Sequence, residues 1–219
     1  MSKPVRYLKN TALGEKIEPP LIRAHDPEKY FSRTRSYLQD FMRPIQHLLR
    51  EYPFQPELVQ RFLAFDAAGA QNYQRGAPGH FTASCWLVDL TGERVLLTHH
   101  RKLGCWLQLG GHADGDTDLV RVALTEACEE SGLSDLRIEP AIFDLDVHEI
   151  PARASDPVHL HWDVRFVVRA SSEDFSVSEE SLALSWVDIA GLAADKCADA
   201  SLVRMAQKWL RQPNCTQLS

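Results

Sequence analysis

Apolar and polar residues recur along this chain with two different periods, and the change between them falls near His80. Upstream, Tyr30, Tyr37, Leu38, Phe41, Ile45, Leu48 and Leu49 follow the three- and four-residue spacing of an amphipathic helix. Asp26 suits its N-cap, Pro27 its first helical position and Glu28 its first turn. Pro44 is expected to kink or divide this helix, and Pro53 to end it. A second helix is expected over 56–65, with Leu58, Phe62 and Leu63 inward. The first 25 residues read as irregular, and 67–78 as a turn-rich linker.

Downstream the period shortens to two. Strands are expected over 81–90 and 94–98, with the turn signal Thr91-Gly92 between them. Residues 103–111 carry Trp106 and a Gly-Gly pair. Residues 116–131 read as a helix striped by Leu119, Val122, Ala123 and Ala127 and stopped by Gly132. Two long strands follow over 138–150 and 158–170, a short one over 185–188, and a closing helix over 199–211. Helices followed by a mixed β/α region imply an α+β protein. The expected organisation is a helical N-terminal extension and linker over 1–78, one domain over 79–212 and a tail over 213–219.

Composition adds exclusions. With 44% hydrophobic and 25% charged residues among 219, the chain has ordinary globular content and is not disordered throughout. A net charge of −6 gives no global basic footprint, so nucleic acid is not an expected partner. No apolar run approaches a membrane span, and the N-terminus lacks the apolar core of a signal peptide. Five cysteines, at 85, 105, 128, 197 and 215, include no C-x-x-C pair and fit reduced thiols in the cytoplasm.

The chemistry concentrates in one segment. Glu126, Glu129 and Glu130 are spaced i, i+3, i+4, which puts three carboxylates on one helical face within a turn. Such like charges repel, and a divalent cation with oxygen ligands offsets that. An isolated E-x-x-E-E is ordinarily a solvated acidic face. Here it is preceded by Gly110-Gly111 and followed by Gly132-Leu133.

With these residues the segment resembles a Nudix box, G-x5-E-x7-R-E-U-x-E-E-x-G-U, where U is a bulky aliphatic. Gly111, Glu126, Glu129, Glu130, Gly132 and Leu133 match it, and Ala127 is a small but tolerable aliphatic. Thr117 stands where the motif has its first Glu, although Asp116 is one residue away; Thr125 stands where it has Arg. The match covers Gly111 to Leu133. The resemblance implies a mixed sheet sandwiched between helices. It also implies Mg²⁺- or Mn²⁺-dependent hydrolysis of a nucleoside diphosphate linked to another moiety. By position, Glu129 and Glu130 would be metal ligands, Glu126 a further ligand or the base, and the Gly111 carbonyl another metal contact. The family's role for the missing Arg is to orient the glutamates. Its absence favours a second reading, a Nudix-like nucleotide-binding or regulatory domain with little turnover.

A second constellation is His159, His161 and Asp163, which on a strand share one face, with Leu160, Trp162 and Val164 opposite. Asp163 suits a hard ion and is the candidate downstream ligand or base; His161 is a candidate substrate contact. Glu179 and Glu180 are rival acids. His112, Asp114 and Arg101 flank the glycine pair as candidate substrate contacts, and Lys102 could also meet a phosphate. Trp86 and Trp106 could stack a base, but core roles are commoner. Cys128 reads as packing. The N-terminal helices would cap the site or form a homodimer interface.

Overall fold

A computed structural model describes residues 44–76, 78–152, 157–179 and 181–212. The expected helix from Asp26, the irregular first segment, the tail over 213–219 and Glu180 lie outside these residues. Pro44 stands at the N-cap of helix α1, Ile45–Glu51. Helix α2, Pro56–Ala67, follows with Pro56 at its first position. The segment expected to be a linker is instead ordered by contacts. It forms a 3₁₀ turn, Ala70–Tyr73, whose Tyr73 is buried, donates its hydroxyl to Asp66 and offers its carbonyl to the Gly115 N–H.

The strands are β1 (Gly79–Val88), β2 (Arg94–His100), β3 (Trp106–Leu107), β4 (Leu109–His112), β5 (Arg137–Ile150), β6 (His159–Arg169) and β7 (Ser181–Asp188). Helix α3, Leu119–Ser131, lies between β4 and β5; α4, Ile189–Ala194, and α5, Ala200–Leu210, close the chain. Asp118 caps α3 by accepting the Arg121 N–H, and Gly132 ends it in the left-handed conformation at φ 66°. The helix starts later than its apolar pattern suggested, because Asp116 turns aside to bond the Asp118 N–H and Arg121. Helix α4 was not expected; it is capped by Asp188 and buries only Ile189 and Leu192.

All seven strands form one mixed sheet, ordered β3-β2-β1-β6-β5, with β7 on β2 and β4 on β1. Strands β1 and β6 run parallel and the other pairs antiparallel. One face is apolar across its central strands. Phe81, Ala83, Trp162, Val164 and Leu145 pack there against α1, α2 and the start of α3. Cys85, Leu87 and Val168 continue that face against Leu124 and Ala127 of α3. The opposite face is divided. Trp86, Val88, Val95 and Val167 bury against Trp209, Met205 and Leu202 of α5, whereas the other end of the same strands carries histidines and charges. The sheet is therefore sandwiched between helices, with one end of one face left polar.

Candidate active site

Strand β4 positions the carboxylates. It pairs with β1 through Thr82–His112, Ala83–Gly111 and Ser84–Gly110, while the Ala113 N–H bonds the Phe81 carbonyl. Antiparallel pairing alternates, so Gly111 directs its N–H and C=O toward β1 and Gly110 directs its own to the free edge. Glu130, only 6% exposed, accepts the Gly110 N–H at 3.0 Å from that edge. Glu126 lies one turn earlier, half-buried, with its carboxylate against the Cα of Gly111. Glu129 is exposed. Two glutamates of the triad thus converge on the glycine pair, and the third opens to solvent beside them. This corrects one expectation: the outward backbone carbonyl belongs to Gly110, because that of Gly111 faces β1. The set offers hard oxygen donors, and the lack of a side chain at Gly111 is what admits Glu126. It fits a divalent cation such as Mg²⁺ or Mn²⁺.

Other expected residues are placed differently. Asp163 is 1% exposed and accepts hydrogen bonds from Thr82 at 3.0 Å, Ser84 at 2.8 Å and Arg165 at 2.7 Å. Burial works to raise its pKa, but the Arg165 charge and these bonds outweigh it and hold the carboxylate low. With its oxygens engaged inside the sheet, Asp163 departs from the expected role of downstream base or ligand. Arg101 donates to the carbonyls of Glu179 and Ser181, which anchors it to the start of β7 rather than to a phosphate. Asp114, at φ 48°, pairs with Arg75 at 2.6 Å on the surface. Asp116 bonds Arg121 at 2.6 Å, so its acid is already committed. Trp86 is core, whereas Trp106, 39% exposed, stacks on His99. Burial pushes the Cys128 thiol up to about 11, consistent with packing rather than nucleophilicity.

The alternation expected on β6 holds: Trp162 and Val164 enter the apolar face and His161 the polar one. The polar end carries more histidines than the sequence suggested. Parallel pairing sets His80 beside His161, and antiparallel pairing sets His148 beside His161. Ring centroids lie 4.9 Å apart for His80–His161, 5.1 Å for His112–His161, 5.1 Å for His80–His112 and 5.2 Å for His159–His161. Burial lowers the pKa of His112 to about 4 and of His161 to about 3, and neighbouring cationic groups reinforce the shift. Burial also lowers that of His80. These rings are neutral near pH 7. Neither His80 nor His148 could be chosen from the sequence, because only the β4-β1-β6-β5 pairing brings them to the cluster.

No family model matches the chain, and no curated protein does. Solved structures with a similar fold include a hydrolase of the NUDIX family from Clostridium perfringens, 23% identical, covering 59% of this chain and 95% of that one at a TM-score of 0.45. A MutT protein from Methanosarcina mazei is 17% identical over 60% of this chain and 92% of its own, with a TM-score of 0.46. The E. coli dihydroneopterin triphosphate pyrophosphohydrolase is 15% identical over 64% and 99%, with a TM-score of 0.47.

Proposed function

We propose that this chain is a Nudix-type hydrolase that cleaves the pyrophosphate bond of a nucleoside diphosphate linked to another moiety, using Mg²⁺ or Mn²⁺. The observation that carries this reading is the convergence of Glu126 and Glu130 on Gly110-Gly111, within a segment that matches the box spacing. Glu126, Glu129 and Glu130 would hold the cation, with the outward Gly110 carbonyl beside them. The bound cation would neutralise phosphoryl charge that these carboxylates would otherwise repel. The Gly110 N–H fixes the Glu130 carboxylate, so that ligand is pre-oriented without the arginine that Thr125 replaces. Exposed Glu129 faces the water side, where a substrate phosphate would arrive. Glu126 and Glu129 are both open to the role of base, the first held against the glycines and the second in contact with solvent. The catalysis proposed for the glutamates places no step on His112 or His161, which lie on the sheet face away from α3. No helix among the described residues is long and apolar enough to cross a membrane.

The test is coupled phosphate release from a panel of substrates, with pyrophosphatase for nucleoside triphosphates and phosphatase for the monoester products of ADP-ribose, nucleotide sugars and dinucleotides, with Mg²⁺ and with Mn²⁺. Turnover of one substrate class, lowered by about 10²-fold or more in Glu130→Gln, is the expected result. Thr125 favours the second reading, a nucleotide-binding domain with little turnover. That reading requires silence across the panel together with a metal-dependent rise in Tm that Glu130→Gln abolishes.

A further inference from the structure

On the sheet face away from α3, three adjacent strands each contribute one imidazole: His112 from β4, His80 from β1 and His161 from β6. One ring nitrogen from each lies within 4.8 Å of the other two. We infer that His80, His112 and His161 form a second metal site, separate from the glutamates, for a borderline divalent transition-metal ion of the Zn²⁺ class.

Three observations support it. The first is a backbone hold on one ring. The Nδ1 of His80 meets the Gly76 carbonyl at 3.0 Å and the Gly76 N–H at 3.2 Å; in the tautomer that donates to the carbonyl, Nε2 keeps its lone pair. Metal-bound histidines are oriented this way by an outer carbonyl. The second is that both His80 Nε2 and His161 Nε2 are buried without a hydrogen-bond partner, and His80 is only 3% exposed. Leaving such atoms unsatisfied is unfavourable, and a metal bond would offset that cost. The third is donor chemistry. The carboxylates that act on these rings are Asp163, engaged by Arg165, Ser84 and Thr82, and Asp114, engaged by Arg75, so the available donors are all imidazole nitrogens. Imidazole suits Zn²⁺, Ni²⁺ or Co²⁺ and is a poor ligand for Mg²⁺.

The spacing is close to what coordination needs. Zn–N bonds of about 2.0–2.1 Å in a tetrahedron place nitrogens about 3.4 Å apart. The rings would have to close by about an ångström. Three protein ligands leave one position open to water or to an incoming ligand, as in sites that exchange ligands. The ion would also clip the four-residue strand β4 to the centre of the sheet.

The experiment uses the full chain stripped with chelator and titrated with Co²⁺, in wild type, in the Glu126→Gln/Glu129→Gln/Glu130→Gln variant and in His112→Phe. His112 is chosen because it is half-buried on a short strand, and Phe keeps the ring volume. One Co²⁺ per chain with a visible d–d band, displaced by Zn²⁺, is expected. The triple glutamine variant should retain it. His112→Phe should weaken it beyond the roughly 10–100-fold typical of an outer-shell change. A variant-free readout is the side-chain ¹⁵N spectrum, in which Zn²⁺ should move the ring nitrogens of three of the nine histidines. The inference fails if no equivalent binds, if binding survives His112→Phe, if it requires the glutamates, or if other rings respond. Because the triple variant removes the proposed hydrolytic centre, failure there and failure here are separable.

Discussion

A methyl group added at Gly111 and one added at Gly110 meet different neighbours. At Gly111 it would collide with the Glu126 carboxylate, the far end of a flexible side chain that can swing away. At Gly110 it would come within 2.6 Å of the Ser84 Cα and 2.7 Å of the Ala83 carbonyl, both backbone atoms of the central strand. Gly111→Ala should therefore keep its thermal midpoint within a few degrees while losing at least about tenfold in turnover, because a ligand is displaced and the core is not. Gly110→Ala should lower the midpoint itself, since the sheet must shift to admit it. Calorimetry with parallel turnover assays separates the two. A Gly111→Ala protein with full activity would show that the Glu126 position is unimportant. The spacing of Gly111, Glu126 and Glu130 was legible in the sequence, because box chemistry is local. The outward role of Gly110 was not, because it depends on which edge of β4 meets β1.

At the scale of elements, the divided sheet face holds a charge chain that the linear pattern only half disclosed. Alternation along β6 correctly put His161 and Asp163 on one face. It could not say that Arg165, two residues on and fully buried, would bind Asp163 at 2.7 Å and Asp146 of β5 at 2.8 Å. Asp144 of β5 completes the network, bonded by Arg204 of α5 at 2.7 Å. Burial alone would favour neutral Arg165, but the three aspartates outweigh it and keep the guanidinium charged. Arg165→Met removes the cation and strands the buried carboxylate of Asp163, which should cost about 3–5 kcal/mol in urea unfolding. Adding Asp163→Asn should recover part of that loss, since it removes the stranded charge. A single-variant loss below about 1 kcal/mol would mean that water replaces the guanidinium. The same dependence on pairing explains the other misses. Strand β7 extends four residues beyond its expected start because its edge partner β2 is long enough to pair it. Residues 70–73 looked like linker because the contacts that order them, among them those to Phe65 and Asp66 of α2, Phe81 of β1 and Gly115 of the box loop, come from other elements.

At the scale of the whole molecule, the helices on the two faces of the sheet meet at Lys208 of α5. Its Nζ donates to the Tyr52 hydroxyl, just after α1, at 2.7 Å and lies 4.4 Å from the Phe54 ring and 3.7 Å from Asp144. The early chain is thus tied to the last helix through one ammonium. Burial lowers the pKa of that ammonium from 10.5 to about 8, although Asp144 opposes the shift. Between those values the unfolded chain binds a proton that the folded chain has released, so stability rises with pH across the window. Below pH 8 the folded state bears the cost of holding the charge; above 10.5 neither state holds it. Comparison with Lys208→Met isolates this group, because all other titrations nearly cancel. From pH 7.5 to pH 10.5, wild type should gain about 2–3 kcal/mol relative to the variant in urea unfolding. A difference that is flat with pH would mean that Lys208 keeps an ordinary pKa, held by Tyr52 and Asp144 as strongly as by water. A difference that moves the other way would make the ammonium a net stabiliser of the junction between α1 and α5.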